Sequence, residues 1–236
     1  QDGQSKDDNI DYTAKLSFAL NDAVNIYGGI STGFKATAWN ISRNSLPDAT
    51  EQAALKAAGT PAGPNTGLGQ RYASPEEAEV LELGAKIYLP NGYLNIAIFD
   101  QEIKGFQSNT FIGTGFVLAN AGSQSADGVE FDLVFSPVES LDIAISGLFM
   151  DPIYDSFPAS ASGDLTGTVP SNVPEDTISS TATWNWNSGQ YDGYVRFSHL
   201  YASEVKLVEN VAWQAILDSK GNGRKKQDTL NFSAGI

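Results

Sequence analysis

The chain lacks cysteine altogether and carries one histidine and one methionine in 236 residues. Without cysteine there are no disulfides, no thiolate nucleophile and no cysteine-based metal site. Cations are scarce: 14 Lys and Arg face 28 Asp and Glu, a formal charge of −14. A phosphate-binding surface needs clustered Lys and Arg, so nucleic acid is excluded as a partner. The one basic cluster, Arg224-Lys225-Lys226, sits beside glycines and reads as a solvated loop tip. No apolar run approaches the ~18–20 residues of a membrane helix. That leaves a barrel open, because barrel strands need only ~9–11 alternating residues. The chain starts at Gln1 with no charged-then-apolar leader, so a signal peptide is expected to be absent or removed. Gly (23) and Pro (10) are too few for a collagen-like or disordered chain, and 41% hydrophobic residues can bury a sizeable surface. The length suits one large all-β domain or two small ones.

What is present is alternation. In Glu79–Leu89, Leu81, Leu83, Ala85, Ile87 and Leu89 share one face, and Glu82, Gly84, Lys86 and Tyr88 the other. That period of two is a strand with one apolar face. Pro90-Asn91-Gly92 breaks it, and Asn-Gly tolerates the positive φ of a tight hairpin. Tyr93–Gln107 runs back with Leu94, Ile96 and Ile98 in alternation. The same unit recurs. Strands are expected at Asp11–Leu20, Ala23–Phe34, Phe116–Ser136 (bent or bulged around Gly122–Gly128), Leu141–Met150, Thr177–Asn187, Tyr191–Ser203 and Asp228–Ile236. Long polar loops separate them at Lys35–Ala73, Asp151–Asp176 and Glu204–Gln227. Within the first, Asp48–Ala58 predicts a short helix capped by Asp48 or Thr50 and stopped by Gly59.

The reading is an all-β, antiparallel up-and-down meander of about nine strands with one short helix in a long loop. Structureless loops beyond about 12–15 residues are uncommon in compact domains. Short turns at one end and long loops at the other are the layout of an outer-membrane β-barrel. Tyr12, Tyr88, Tyr93, Trp184, Trp186, Tyr191 and Tyr201 fall near strand ends, where interfacial girdles lie. The competing reading is a soluble β-sandwich binding module for a ligand or carbohydrate, with each apolar face buried against a second sheet; a β-rich hydrolase is a third.

Several segments carry a resemblance: GISTGFKA (Gly29–Ala36), YASPEEAEVLELGAK (Tyr72–Lys86), LNIAIFDQEIKGFQ (Leu94–Gln107), GFVLANAGSQSADGVEFDLVFSP (Gly115–Pro137) and DLTGTVPSNVPEDTISSTATW (Asp164–Trp184). Within them stand Pro75-Glu76 before Glu82-Leu83-Gly84-Ala85-Lys86, and Asn120-Ala121-Gly122 before Gly128-Val129-Glu130. In this order they resemble the barrel region of TonB-dependent outer-membrane receptors. The resemblance implies a plugged barrel of about 22 strands in the bacterial outer membrane. It implies import of a scarce nutrient, such as a siderophore or carbohydrate, with energy from the inner membrane. The partners implied are outer-membrane lipid, a small-molecule ligand and a TonB-type energy-coupling protein acting through the plug. Neither a plug nor an aromatic-ending terminal strand is recognisable, so residues 1–236 are expected to be a partial barrel domain with unpaired outer edges.

No residue set points to catalysis, a metal or a cofactor. Glu76, Glu77, Glu79 and Glu82 read as a solvated acidic rim, since paired catalytic carboxylates need a defined ~5–9.5 Å separation across a cleft. Asp218–Gly223 imitates the start of a calcium loop, but Lys220 occupies a ligand position and Thr229 stands where the bidentate Glu belongs. His199 has no nucleophile–acid partner signature. Gly113-Thr114-Gly115 and Gly67-Leu68-Gly69 lack the strand–turn–helix context of a phosphate loop. Candidate ligand contacts are Trp39, Asn40 and Arg43 in the first long loop and Tyr154 and Phe157 in the second, because aromatic rings and guanidinium groups stack on or hydrogen-bond a sugar or chelate.

Overall fold

The computed structural model describes residues 4–39, 49–50, 53, 57, 72–111, 116–120, 122–158, 160 and 162–236. Nine long strands form one antiparallel sheet in sequence order: β1 (Thr13–Asn21), β2 (Val24–Lys35), β5 (Glu76–Leu89), β6 (Gly92–Lys104), β9 (Ser123–Val138), β10 (Leu141–Ser156), β11 (Asp176–Ser188), β12 (Tyr191–Lys206) and β13 (Arg224–Gly235). Two short ribbons stand apart from it: β3 (Ala38–Trp39) with β4 (Tyr72–Ala73), and β7 (Gln107–Phe111) with β8 (Phe116–Asn120). A helix, α1 (Val211–Ser219), lies between β12 and β13. No described helix is long and apolar enough to cross a membrane.

Cross-strand pairing fixes which side chains share a face. One row runs Asn25–Lys86–Asn95–Asp132–Ser146–Ser179–Leu200–Thr229 across β2 to β13. Alternation puts Glu82, Glu130 and Asp142 on that face and Leu81, Leu83, Ile87, Leu133, Ile143, Ile145 and Phe232 on the opposite one. A single cleft is lined by residues from β2 through β12 on the first face, so that face is concave. The convex face is the apolar one, and it is bare: Leu83 is 57% exposed and Phe232 63%. Next to Leu83 in sequence, the Glu82 side chain is only 30% exposed. A water-soluble sheet does the reverse.

On β5 the outward apolar run Leu81–Ile87 covers roughly 20 Å at ~3.3 Å per residue. That is close to the ~25 Å apolar band of a barrel exterior. The outward row Leu81–Asp100–Asp127–Asp151 ends the band at its loop side. Tyr12, Trp184, Trp186, Tyr191 and Tyr201 face outward near the band's edges, as a girdle requires. Tyr88 and Tyr93 do not. They pair with each other two positions from Lys86–Asn95 and therefore face the concave side.

Glycine shapes five of the seams between main strands. Each of Tyr27–Gly84, Phe99–Gly128, Phe131–Gly147, Trp186–Gly193 and Tyr194–Gly235 is a direct cross-strand pair. In each, a side chain added at the glycine would meet the partner's ring at 2.4–2.8 Å. The ring lies over the bare glycine backbone.

The structure departs from the sequence expectation mainly on the loop side. β10, β12 and β13 extend through Ser156, Lys206 and back to Arg224, so Arg224-Lys225-Lys226 is strand rather than loop tip. Pairing continues there after the apolar alternation has stopped. The segment Phe116–Ser136 is two elements: Gly122 separates ribbon strand β8 from main strand β9, and the β6–β9 register is unbroken from Ser123 to Phe135. The expected helix Asp48–Ala58 lies mostly outside the described residues; the described residues there, Ala49, Thr50, Ala53 and Ala57, are helical.

Candidate functional site

Two regions carry chemistry: the concave wall and the platform at the loop ends. On the wall, Lys15 Nζ lies 3.4 Å from Glu82 Oε1 and 4.3 Å from the Tyr27 ring centre. Gly84 leaves the space that the Tyr27 ring fills. A cleft of about 570 Å³ opens beside them, lined among others by Tyr27, Lys86, Asn95, Glu130, Asp132 and Ser179. Lys86, Glu130 and Asp132 form no ion pair with any described residue. They face the concave side with no opposite charge at ion-pair distance; Lys86 Nζ lies 5.9 Å from the Tyr27 ring centre.

On the platform, a knot of side-chain amides ties the loop bases together. Asn120 Nδ2 donates to Ser74 O (2.9 Å) and Gly105 O (2.6 Å), while its Oδ1 accepts from Ser74 N (2.8 Å). Gln107 Nε2 donates to Ala36 O (2.9 Å) and Ser74 O (2.8 Å). Glu76 Oε1 accepts from Gln107 N and pairs with Lys35 Nζ at 2.9 Å. Gly105 adopts φ +66° at the centre of this knot, where a Cβ would also meet Pro75 O at 2.8 Å.

A second brace holds the later loops. Tyr154, Phe157 and Leu165 form a small buried core with Phe106 against it. Tyr154 donates its hydroxyl to Glu209 Oε1 (3.2 Å), which also accepts from Ser171 N (2.7 Å). Tyr154 stands beyond the apolar band. Burial, then the Glu209 carboxylate, push its phenol well above the ordinary value of 10. The raised value favours the protonated phenol in the folded state. This brace is therefore expected to hold below pH 10 and weaken progressively above it. Tyrosinate absorbance followed against loop proteolysis in the same titration checks this. Tyr154→Phe is expected to flatten the alkaline loss of loop protection.

Helix α1 is capped by Asn210, whose side chain accepts from Trp213 N. It is inverted: it buries Gln214 and exposes Val211, Trp213 and Ile216. Gln214 Oε1 accepts from Leu207 N and Val208 N, and its Nε2 donates to Asp218 Oδ1 and Gly223 O, closing the loop neck. Gln214→Leu strands those groups, and a buried unmet donor or acceptor costs ~1–3 kcal/mol. The expected outcome is much faster proteolytic cleavage within residues 207–223 while the sheet keeps its melting behaviour.

The expected ligand contacts fall into three positions. Trp39 is on the surface, its ring 5.2 Å from that of Tyr72 and its Nε1 donating to Ser5 Oγ (3.0 Å). Asn40 and Arg43 lie outside the described residues. Tyr154 and Phe157, 3% and 1% exposed, sit beneath the surface as the loop brace. The carboxylates Glu76, Glu77, Glu79 and Glu82 do not converge: alternation sends Glu76 and Glu82 to the concave side and Glu77 and Glu79 outward. Asp218 Oδ1 is engaged by Gln214 and Arg224, and no group of three potential metal ligands gathers among the described residues. His199 pairs with Asp228 at 2.9 Å on the outward face. Sequence reasoning missed Gln107, Asn120, Glu209 and Gln214. Gln107, Asn120 and Glu209 offer only an amide or carboxylate near an element boundary, and Gln214 only a polar residue inside a short helix.

An antiparallel arc with a bare apolar convex face and a charged concave one defines an outer-membrane β-barrel. The family model described as TonB dependent receptor-like, beta-barrel matches residues 1–229, and the chain belongs to that family. Among solved structures it is similar to the ferric yersiniabactin uptake receptor FyuA of Yersinia pestis, with a TM-score of 0.66 and 19% identity over 94% of this chain and 29% of the receptor. The ferric preacinetobactin receptor BauA of Acinetobacter baumannii gives 0.61 and 14% over 94% and 28%. The siderophore receptor PiuA of the same organism gives 0.59 and 20% over 95% and 28%. The chain spans less than a third of each of these receptors. No curated protein matches it in sequence.

Proposed function

We propose that residues 1–236 form one continuous arc of a TonB-dependent receptor that binds a scarce nutrient at the cell surface and imports it across the outer membrane. The observation that carries the reading is the inversion of the sheet, apolar outside and charged within. A β-sandwich would cover the convex face with a second sheet; the nine-stranded sheet has no such cover among the described residues. The role is binding and transport, not catalysis. The similar solved structures are titled as receptors for ferric siderophores, which supports a ferric chelate as cargo. Trp39, on the open platform, is a contact for it, with Asn40 and Arg43 following in the same loop. Tyr154 and Phe157 act from below by holding the loop surface in place.

The lumen-facing Lys86, Glu130 and Asp132, which form no ion pair among the described residues, meet a plug, whose displacement by a TonB-type protein opens the path. Charges left unpaired in a filled lumen demand partners from the filler. Glu130→Gln in the intact receptor is therefore expected to loosen the plug, read as faster plug proteolysis and a lower unfolding midpoint, with the barrel still assembled. Import is tested by supplying a panel of radiolabelled ferric chelates to cells carrying the intact receptor. Accumulation that disappears with the receptor gene or with the energy-coupling protein supports the reading. Absence of accumulation for every chelate, copper complex and oligosaccharide offered would sink it.

A further inference from the structure

The concave wall is divided. From β1 to β9 it carries fixed charge: Lys15, Glu82, Lys86, Glu130 and Asp132. From β10 to β13 the same face is uncharged along its middle, where hydroxyls and amides interleave with the aliphatic Ala144, Leu148, Leu200 and Ala202. Ser146 on β10, Thr177, Ser179 and Thr181 on β11, Ser198 on β12, and Thr229, Asn231 and Ser233 on β13 occupy it. The three charges at the turn-side end of this half are held locally, and the first of them, Asp192, accepts from Asn187 Nδ2 (2.6 Å). Asp142 accepts from Ser136 Oγ (2.7 Å) and Asn185 Nδ2 (3.0 Å), and Arg196 donates to Thr183 Oγ1 (3.1 Å).

Resting on the import reading above, we propose that the two halves do different work: the charged half seats the plug, and the hydroxyl half of β10–β13 lines the path of the solute. A wall that must hold a plug gains from charges the plug can pair, since a broken pair inside a lumen is costly. A wall along which a solute moves needs the opposite. Its groups must bind well enough to replace water and weakly enough to release, at many equivalent sites. Hydroxyls and amides both donate and accept, and they carry no net charge that would trap a cationic or anionic cargo. The solute class this half favours is one rich in oxygen donors and acceptors, such as a hydroxylated chelate or a glycan, rather than an apolar molecule.

The row Lys86–Asn95–Asp132–Ser146–Ser179 crosses from one half to the other at a single register, so Asn95 and Ser179 can be compared directly. These 236 residues hold no cysteine, and any cysteine elsewhere in the intact receptor is first replaced by serine. Single variants Asn95→Cys, Ser146→Cys and Ser179→Cys are made in the intact receptor in outer-membrane vesicles. They are treated with a small, charged methanethiosulfonate reagent, and the fully denatured protein calibrates each thiol. Labelling at Ser146 and Ser179 is expected to be about tenfold faster than at Asn95, because water lines a solute path and a seated plug excludes it. Rates within about threefold of one another, protection at all three positions, or a faster Asn95 overturn the division. The readout needs no cargo. A receptor that imports nothing yet keeps the labelling contrast defeats the import reading alone.

Discussion

Leu83→Arg is expected to stop the barrel from assembling stably in lipid. Leu83 lies on the convex face at the middle of the outward run Leu81–Ile87 and pairs across the seam with Ile98, itself half exposed. A guanidinium at the bilayer midplane of a barrel costs ~2–4 kcal/mol. Whole-domain stabilities are only ~5–15 kcal/mol, so one such charge removes a large share. Glu82→Gln, one residue away, changes a lumen-facing group already paired with Lys15 and is expected to assemble normally. The intact receptor, refolded into vesicles and scored by its shift on unheated gels and by urea midpoint, separates the two. Equal midpoints for both variants would mean that the convex face does not meet lipid.

Gly92→Ala is the second large effect. Gly92 opens β6 after the turn Pro90-Asn91 and sits on both Leu89 and Phe135. A Cβ there would stand 2.0 Å from Val134 O and 2.8 Å from Phe135 Cα. Both are backbone atoms and neither can rotate away, so β6 and β9 must separate. Overpacking of this kind costs ~1–3 kcal/mol and occasionally more. The expected result is a lowered unfolding midpoint with raised hydrogen exchange at Tyr93 and Val134. Exchange unchanged at that seam would show that the turn absorbs the methyl.

The reason for this glycine differs from the one its sequence suggests. Asn-Gly in a hairpin points to positive φ, yet neither Asn91 nor Gly92 adopts it. The residue is needed for the backbone of Val134 and Phe135, distant in sequence, and not for its own torsion. That contrast marks where the sequence is legible. Leu81 to Ile87, Leu133 to Phe135 and Ile143 to Ile145 alternate because lipid and lumen impose opposite polarity on successive residues, and the nine main strands follow from that pattern. Beyond the bilayer the constraint lapses. Asp151–Ser156 and Arg224–Gln227 are still paired strand, but neither faces lipid: Pro152 and Tyr154 are buried under the loops and Arg224–Gln227 is exposed, so both segments read as loop. Helix α1 was hidden for a related reason: it lies in a polar-flanked loop and points its apolar residues outward, against the usual periodicity. The platform's hydrogen-bond knot was hidden because Gln107, Asn120 and Ser74 meet only after three loops fold back.

The five ring-over-glycine pairs bear on how such a sheet assembles correctly. Slipping one strand by a single residue exchanges lipid and lumen faces and is rejected by the bilayer. Slipping by two keeps every face, so polarity cannot detect it. The glycines can. A two-residue slip would set the Tyr27 ring against Glu82 or Lys86 instead of Gly84, and the Phe131 ring against Ile145 or Phe149 instead of Gly147. Each error forfeits the niche that the ring fills, at ~1–3 kcal/mol of crowding. Nine strands have eight seams, and five of them carry such a lock. The lumen and the membrane proofread odd errors of alignment; bare glycine backbone proofreads the even ones.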